Sequence, residues 1–364
     1  MEECDVAIVG AGPTGLACGI ELKRRGISNI LFDKGCVVNS IYHYPTNLVF
    51  FTTPELLEIG GLPFVSPYDK PTRAEALRYY RKVVDAFDLQ IAFDERVLAV
   101  TRDEDERIFE LETRSSKGVR RVRLARNVIF AIGYYDHPVR LGVPGEDLPH
   151  VSHYFGDPHL HYRQNVVVVG GGNSAAEAAL LLYRAGAHVT LVHRHPTLKR
   201  TIKYWVRPDV ENRIKEGSIA ARFSTCVAEI HPTSVVVRRI PDEAAATDDE
   251  AARQRELFAD ADASRAPASP LVAPSSDAPL VDPIPADGVY LLTGYRADTD
   301  LLCRAGIRLN EREAPALDPQ TFETNVPGIF VAGGAIAGKD TGTIFIENGR
   351  FHGDKIIEAI AQRA

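Results

Sequence analysis

Two glycine fingerprints set 160 residues apart, an apolar run before each, and one residue that differs between the copies together predict an α/β protein of two nested Rossmann-like dinucleotide-binding domains. The fingerprints are Gly10-Ala-Gly12-Pro-Thr-Gly15 and Gly170-Gly-Gly172-Asn-Ser-Ala175. Val6 to Val9 precede the first and Val166 to Val169 the second, and each opens a small-residue helix that stops at a glycine, Gly26 or Gly186. Counting 23 positions from the first glycine reaches the end of the next strand, where Asp33 stands in one copy and His193 in the other.

That difference assigns a ligand to each copy. In such a unit the glycines let backbone amides approach a pyrophosphate at a helix N-terminus, and an acid at the end of the second strand bonds ribose hydroxyls. Asp33 therefore selects the unphosphorylated ribose of FAD, with Gly10, Gly12, Pro13, Thr14 and Gly15 around the pyrophosphate and Lys34 beside the acid. A carboxylate at 193 would repel a 2′-phosphate, whereas His193 and Arg194 supply donors and positive charge, so the second copy is expected to hold NADPH. Gly170, Gly172, Asn173 and Ser174 would meet its pyrophosphate, with Arg200 and Lys203 as further cationic candidates and Gly294 at the end of a neighbouring strand.

The other elements follow in chain order. The first unit runs from residue 5 to about 35, and an aromatic loop from Ile41 to Asn47 leads to Phe50-Phe51. Thr72 to Phe87 reads as an amphipathic helix, with Ala76, Tyr79, Tyr80 and Val83 at three- and four-residue steps and Pro71 just before it. Alternation at 96–100, 109–113 and 119–124 predicts a β-meander, and 128–133 a separate buried strand ending in Gly133. The second unit occupies about 164–195, with a strand at 234–238 and a return strand at 288–294. Val326 to Gly334 reads as a turn into a strand that ends in paired glycines, and a last helix is expected from Thr343. This order nests one domain in the other, with 1–136 and 288–364 for FAD and 137–287 for NADPH. Residues 241–285, rich in Ala, Asp, Ser and Pro, are expected to be a solvated low-complexity insertion.

Composition narrows the function class. A hydrophobic content of 45% supports real cores, and a net charge of −7 leaves no electrostatic footprint for nucleic acid or an anionic membrane. No apolar stretch approaches the roughly 18 residues of a membrane span, and the chain enters a strand by Asp5 without a signal-peptide core, so the cytoplasm is the expected compartment. Cys4, Cys18, Cys36, Cys226 and Cys303 form no CxxC pair and have no histidines at zinc spacing. No metal is expected, and each cysteine reads as a structural thiol.

Assembled in this way, the chain resembles the flavoproteins related to low-molecular-weight thioredoxin reductase, and within them the YpdA-type bacillithiol-disulfide reductases. The strings that carry the resemblance are Gly10-Ala-Gly-Pro-Thr-Gly15, Ser40-Ile-Tyr-His-Tyr-Pro-Thr46, Gly133-Tyr-Tyr135, His153-Tyr-Phe155, the fingerprint at Gly170, and Thr343-Ile-Phe-Ile-Glu-Asn-Gly-Arg-Phe-His-Gly353. It spans nearly the whole chain except 241–285. The resemblance implies a three-layer ββα/βα architecture, FAD and NADPH as cofactors, a homodimer, and a small-molecule or small redox-protein electron acceptor. It places Tyr42, Tyr44 and Thr46 beside the flavin, with Val97, Gly133, Gly333, Gly334, Thr343 and Ile344 at the same site, and aims the helix from Thr343 at the flavin. An aspartate is usual in the family where Gly334 stands, so one ribityl contact must come from elsewhere.

Two departures bear on catalysis. Thioredoxin reductases carry their redox CxxC where this chain has Val151-Ser-His-Tyr-Phe155, and the bacillithiol-disulfide reductases carry their proposed attacking cysteine at the position of Thr14. A hydroxyl does not replace a thiolate as a sulfur nucleophile. Thr14, His153 and His352 are the candidate catalytic positions, and no acid to orient either histidine is identifiable. Hydride transfer from nicotinamide C4 to flavin N5 needs positioning only. Three readings stand for the second half-reaction: reduction of a small disulfide, electron transfer of the ferredoxin-NADP reductase kind, or slow turnover in an NADPH-sensing flavoprotein.

Overall fold

Four apolar residues followed by glycine make the first strand stop abruptly. In the computed structural model, β1 (Glu3–Val9) ends where Gly10 takes φ +111°, and α1 (Pro13–Arg24) begins three residues later with Pro13 in its first turn, where the missing N–H has no intrahelical acceptor to lose. Gly26, at φ +69°, stops the helix: its N–H and that of Ile27 return to the carbonyls of Lys23 and Leu22. The structure describes residues 3–103, 108–241 and 280–363. The chain divides into two units, Met1–Pro138 with Tyr295–Ala364, and Val139–Gly294.

In the first unit β2 (Asn29–Phe32) follows α1, then the short helices α2 (Asn39–Tyr42) and α3 (Pro54–Leu57). α4 (Arg73–Phe87) is capped by Thr72, whose hydroxyl accepts the Glu75 N–H while the Glu75 carboxylate accepts the Thr72 N–H. It buries Ala76, Tyr79, Tyr80 and Val83, the four residues that the periodicity singles out. β3 (Ile91–Ala92), β4 (Arg96–Asp103), β5 (Ile108–Arg114), β6 (Arg120–Phe130) and β7 (His137–Pro138) come next. The expected strands at 119–124 and 128–133 are one continuous strand. β6 pairs antiparallel with β5 along its first part and parallel with β1 through Leu124, Ala125 and Asn127, so the polar Arg126 and Asn127 are carried inside a ladder instead of marking a break.

The second unit contains β8 (Val151–Ser152), β9 (Asn165–Val169), α5 (Asn173–Arg184), β10 (His188–Val192), α6 (Arg207–Lys215), β11 (Ala220–Arg222), β12 (Thr225–His231), β13 (Ser234–Arg239), β14 (Leu280–Pro285) and β15 (Gly288–Leu291). β11-β10-β9-β15-β8 form a parallel sheet, and β12-β13-β14 an antiparallel one. Two expectations change here. The last residues of the presumed insertion form β14, an edge strand on β13, where prolines are tolerated because one side of the strand needs no ladder donors. Residues 242–279 lie outside the described residues. The boundary also moves from 287 to Gly294, because β15 pairs with β9 and β8 and so belongs wholly to this unit.

The chain then re-enters the first unit. β16 (Tyr295–Arg296) pairs with β7, α7 (Thr299–Arg304) follows, and β17 (Ile329–Val331) joins β6 in parallel, completing a sheet that also holds β3-β2-β1. The last helix starts at Ile346 instead of Thr343 and is split into α8 (Ile346–Gly349) and α9 (His352–Ala361). The Asn348 side chain holds 343–345 in an extended turn, accepting the Phe345 N–H and donating to the Thr343 carbonyl, both at 2.9 Å. α9 approaches α1 closely where Gly353 meets the Cys18 backbone. Apolar clusters cover both faces of this sheet, one holding Ile20, Tyr80 and Ile356, the other Phe109, Leu111 and Leu302. No helix among the described residues is long and apolar enough to cross a membrane.

Candidate functional site

The parallel strands of the first unit end level. Val9 pairs with Phe32 and Phe130, and Phe130 with Val331, so Gly10, Asp33, Ala131 and Ala332 leave the sheet together at its carboxyl edge, where open α/β sheets bind ligands. Gly10 comes so near the next strand that a β-carbon would overlap the Ala131 carbonyl oxygen. A β-carbon on Gly15 would overlap the Gly10 carbonyl, so Gly15 seats the helix against the turn and does not line the cleft, whereas Gly12 faces open space. Asp33, 7% exposed, accepts the N–H groups of Ala11 and Gly35 at 3.0 Å each. Burial pushes its carboxyl above the ordinary range, and the two N–H groups oppose that.

The cleft spans about 1240 Å³ of non-protein space, open solvent included. It brings together Gly10, Gly12, Pro13, Thr14, Asp33, Lys34, Tyr44, Val97, Gly133, Gly333, Gly334 and Ile344. Lys34 pairs with Asp136 at 2.9 Å. The loop tyrosine Tyr44 meets Tyr135 edge to face at 4.7 Å.

Besides Gly15, four expected residues are elsewhere. Tyr42 is half exposed with the Arg73 guanidinium over its ring, and Thr46 is exposed away from the cleft. Thr343 donates its hydroxyl to the Asp340 carbonyl at 3.0 Å and precedes the helix it was expected to open. His352 is 8% exposed, stacks on Phe322 at 4.4 Å, and accepts the Gly333 N–H on Nδ1 at 3.1 Å. Burial lowers its pKa to about 4, so it is a neutral structural acceptor and not an acid or base of the cleft.

Sequence reasoning missed two residues here. Tyr134 lies over Gly334, while Thr14 lies over Gly333 with Oγ1 2.7 Å from where a β-carbon would stand. Tyr134 belongs to the Gly133-Tyr-Tyr135 string, which was a usable signal. Glu95, 4% exposed, donates its N–H to the Asp33 carbonyl and is gripped by Arg123 at 3.0 and 3.1 Å and by Thr113 at 2.8 Å. Nothing in the local sequence marks it, because its partners come from β5 and β6.

The second unit repeats the construction. Val169 pairs with Val192 and Leu291, and Gly170, at φ +145°, would place a β-carbon 2.5 Å from the Leu292 carbonyl oxygen. His193, 5% exposed, lays its ring against Gly171, where a β-carbon would overlap it. Burial, with His195, Lys199 and Arg194 adding to it, lowers its pKa to about 3. At neutral pH His193 is therefore neutral and the positive charge expected of the pair falls to Arg194, while the buried Nε2 of His193 has no hydrogen-bond partner among the described residues. Lys203 is also spoken for. It is 6% exposed and its ammonium sits 2.6 Å from Glu177 Oε1 on α5. Asn173 ties the next loop to the helix start, accepting the Lys203 N–H at 2.8 Å and donating to the Thr201 carbonyl at 3.1 Å. Gly172 is half-buried; Ser174, Arg194 and Arg200 are exposed, and Gly294, at φ +112°, has open space beside it.

His153 has the acid that the sequence did not reveal. Its Nε2 is 3.2 Å from Oε1 of Glu146, a buried carboxylate that accepts the N–H groups of Leu141 and Gly142. No cysteine lines the first cleft among the described residues. Cys18 is fully buried, and burial pushes its thiol up to about 12.

Comparison with known proteins agrees with this geometry. The family model for pyridine nucleotide-disulphide oxidoreductases matches residues 7–252 and 282–333. The chain is 38% identical over 357 residues to bacilliredoxin reductase Bdr of Bacillus subtilis (strain 168), covering 98% of this chain and 97% of the relative. It is 25% identical over 329 residues to a ferredoxin–NADP reductase of Ignicoccus hospitalis, covering 90% and 89%. The solved structure of bacillithiol disulfide reductase Bdr (YpdA) from Bacillus cereus superposes over 100% of both chains with a TM-score of 0.86 at 35% identity. With two dinucleotide-binding turns on one thioredoxin-reductase-like fold and a family match over most of its length, the chain is an oxidoreductase that works with FAD and NADPH and belongs to the pyridine nucleotide-disulphide oxidoreductase family.

Proposed function

We propose that FAD occupies the first cleft and NADPH the second glycine turn, and that the electron acceptor is a small disulfide of the bacillithiol kind. One observation carries the cofactor assignment: equivalent positions of two like turns hold a carboxylate, Asp33, and a neutral imidazole followed by an exposed arginine, His193-Arg194. The fit on each side is physical. Gly10 and Gly170 pass where no side chain can, Gly12 leaves open space beside the start of α1, and His193 Nε2 is a buried polar atom left for a partner. The acceptor reading is supported by the relatives, whose names specify bacilliredoxin and bacillithiol disulfide.

The bound cofactors supply the two-electron transfer, and the overall reaction balances as NADPH + H⁺ + RSSR → NADP⁺ + 2 RSH. This chain's residues bind and orient. Asp33 keeps its two backbone bonds and would offer its remaining lone pairs to a ribose diol, the first amides of α1 would hold the pyrophosphate, and Arg194 would hold the 2′-phosphate. Thr14, packed over Gly333, offers a hydroxyl and no thiolate. A cytoplasmic homodimer belongs to the same reading; the dimer rests on the family resemblance and the compartment on the sequence.

Anaerobic NADPH should bleach the bound flavin rapidly, and bacillithiol disulfide should restore its colour with formation of free thiol. The cleft without cysteine favours a second reading, direct electron transfer to a ferredoxin. Recovery of the flavin colour by ferredoxin but not by the disulfide would replace the first reading with the second.

A further inference from the structure

Two consecutive glycines follow β17, and each is covered by a side chain from another part of the cleft. Thr14 covers Gly333, and the Tyr134 ring covers Gly334 so closely that a β-carbon at 334 would lie 2.5 Å from Cδ1 and 2.8 Å from Cε1. While the ring stays, position 334 can carry no side chain. The cleft wall there presents the tyrosine instead. Tyr134 is half-buried and lines the cleft, and its hydroxyl has no hydrogen-bond partner among the described residues. In the cleft, which is open to solvent, that hydroxyl is left to water or to a ligand that displaces it. Burial also pushes the Tyr134 phenol upward, so at neutral pH it is a donor and never a phenolate.

We infer that the Tyr134 hydroxyl is a cofactor-binding group, a hydrogen-bond donor held for an oxygen atom of bound FAD at the wall where Gly334 has no side chain to offer. The inference rests on the assignment of the first cleft to FAD. Its two parts are separable. The ring excludes any residue larger than glycine at 334, and the hydroxyl binds.

The test uses the full chain loaded with FAD, diluted serially while the fluorescence of released flavin is followed. Tyr134→Phe keeps the ring over Gly334 and should raise FAD release about 2- to 10-fold, the loss of one neutral hydrogen bond, while the melting temperature of the flavin-free chain stays unchanged. Tyr134→Leu removes the ring as well. If the residue only fills space, Tyr134→Phe holds FAD like the wild type and only Tyr134→Leu loses it, and the inference is overturned. Asp33→Asn separates the two levels. Weakened FAD binding in Asp33→Asn with none in Tyr134→Phe overturns the tyrosine's role alone, whereas no effect of either substitution overturns the assignment of the cleft to FAD.

Discussion

His193 lies against Gly171 as Asp33 lies against Ala11, in the same pair of positions of two copies of one turn. In the first copy the carboxylate accepts the Ala11 N–H at 3.0 Å and a methyl group is accommodated. In the second, the imidazole fills the space a methyl would need, which accounts for the glycine at 171.

Gly171→Ala should therefore force His193 out of its packed position, at about 1–3 kcal/mol of stability, the usual cost of overfilling a packed site. The KM for NADPH should rise while FAD content is kept. His193→Ala in the same chain should relieve the clash, as read by thermal denaturation. A single variant with wild-type stability and NADPH kinetics would show that the ring moves freely.

Arg194→Ala and Lys203→Ala should separate binding from packing. Loss of one charge-assisted contact to the 2′-phosphate costs about 1.5–3 kcal/mol, or roughly 10- to 150-fold in NADPH affinity, with little change for NADH. Lys203→Ala instead strands Glu177, so it should lower the melting temperature and leave the NADPH/NADH preference unchanged. Steady-state kinetics with both coenzymes decides, and an equal loss for both in Arg194→Ala removes that residue from the 2′-phosphate site.

Thr14→Cys should open a thiol route at the start of α1, because a cysteine at its second residue stands where backbone amides stabilise a thiolate. The expected signature is faster disulfide reduction, with a mixed disulfide on the introduced thiol trapped and identified by mass spectrometry. Cys18→Ser should leave native disulfide turnover unchanged, since the Cys18 thiol is fully buried and pushed up to about 12. Loss of turnover in that variant would assign Cys18 a redox role.

Acid should destabilise the fold through His352 and His193. Both take up protons less readily folded than unfolded, at about 4 and about 3 against an ordinary value near 6.5, so the unfolded chain binds more protons across that window. Stability is full above about pH 6.5 and falls as pH drops toward 4, by up to about 1.4 kcal/mol per pH unit for each histidine. His352→Asn, which keeps an acceptor for the Gly333 N–H, should flatten the dependence of melting temperature on pH. An unchanged slope would locate the acid sensitivity elsewhere.

The sequence by itself determined the doubled architecture, because a tight glycine turn between an apolar strand and a helix leaves a local mark. Gly10 and Gly170, the glycine stops at Gly26 and Gly186, and the buried face of α4 were all legible, since each depends on neighbours within a few residues. Only the tertiary structure decided which polar residues remain open to a ligand. The sequence offers Lys203 as a phosphate-binding cation, whereas in the fold Glu177, 26 residues away, holds its ammonium. Packing around Gly171 buries His193 and leaves Arg194 alone to carry the charge that the sequence assigns to the pair. Glu146 beside His153, Tyr134 over Gly334 and the continuity of β6 through Arg126 and Asn127 were likewise hidden, because burial and ion pairing join residues distant along the chain, and those contacts set protonation state, space and exposure.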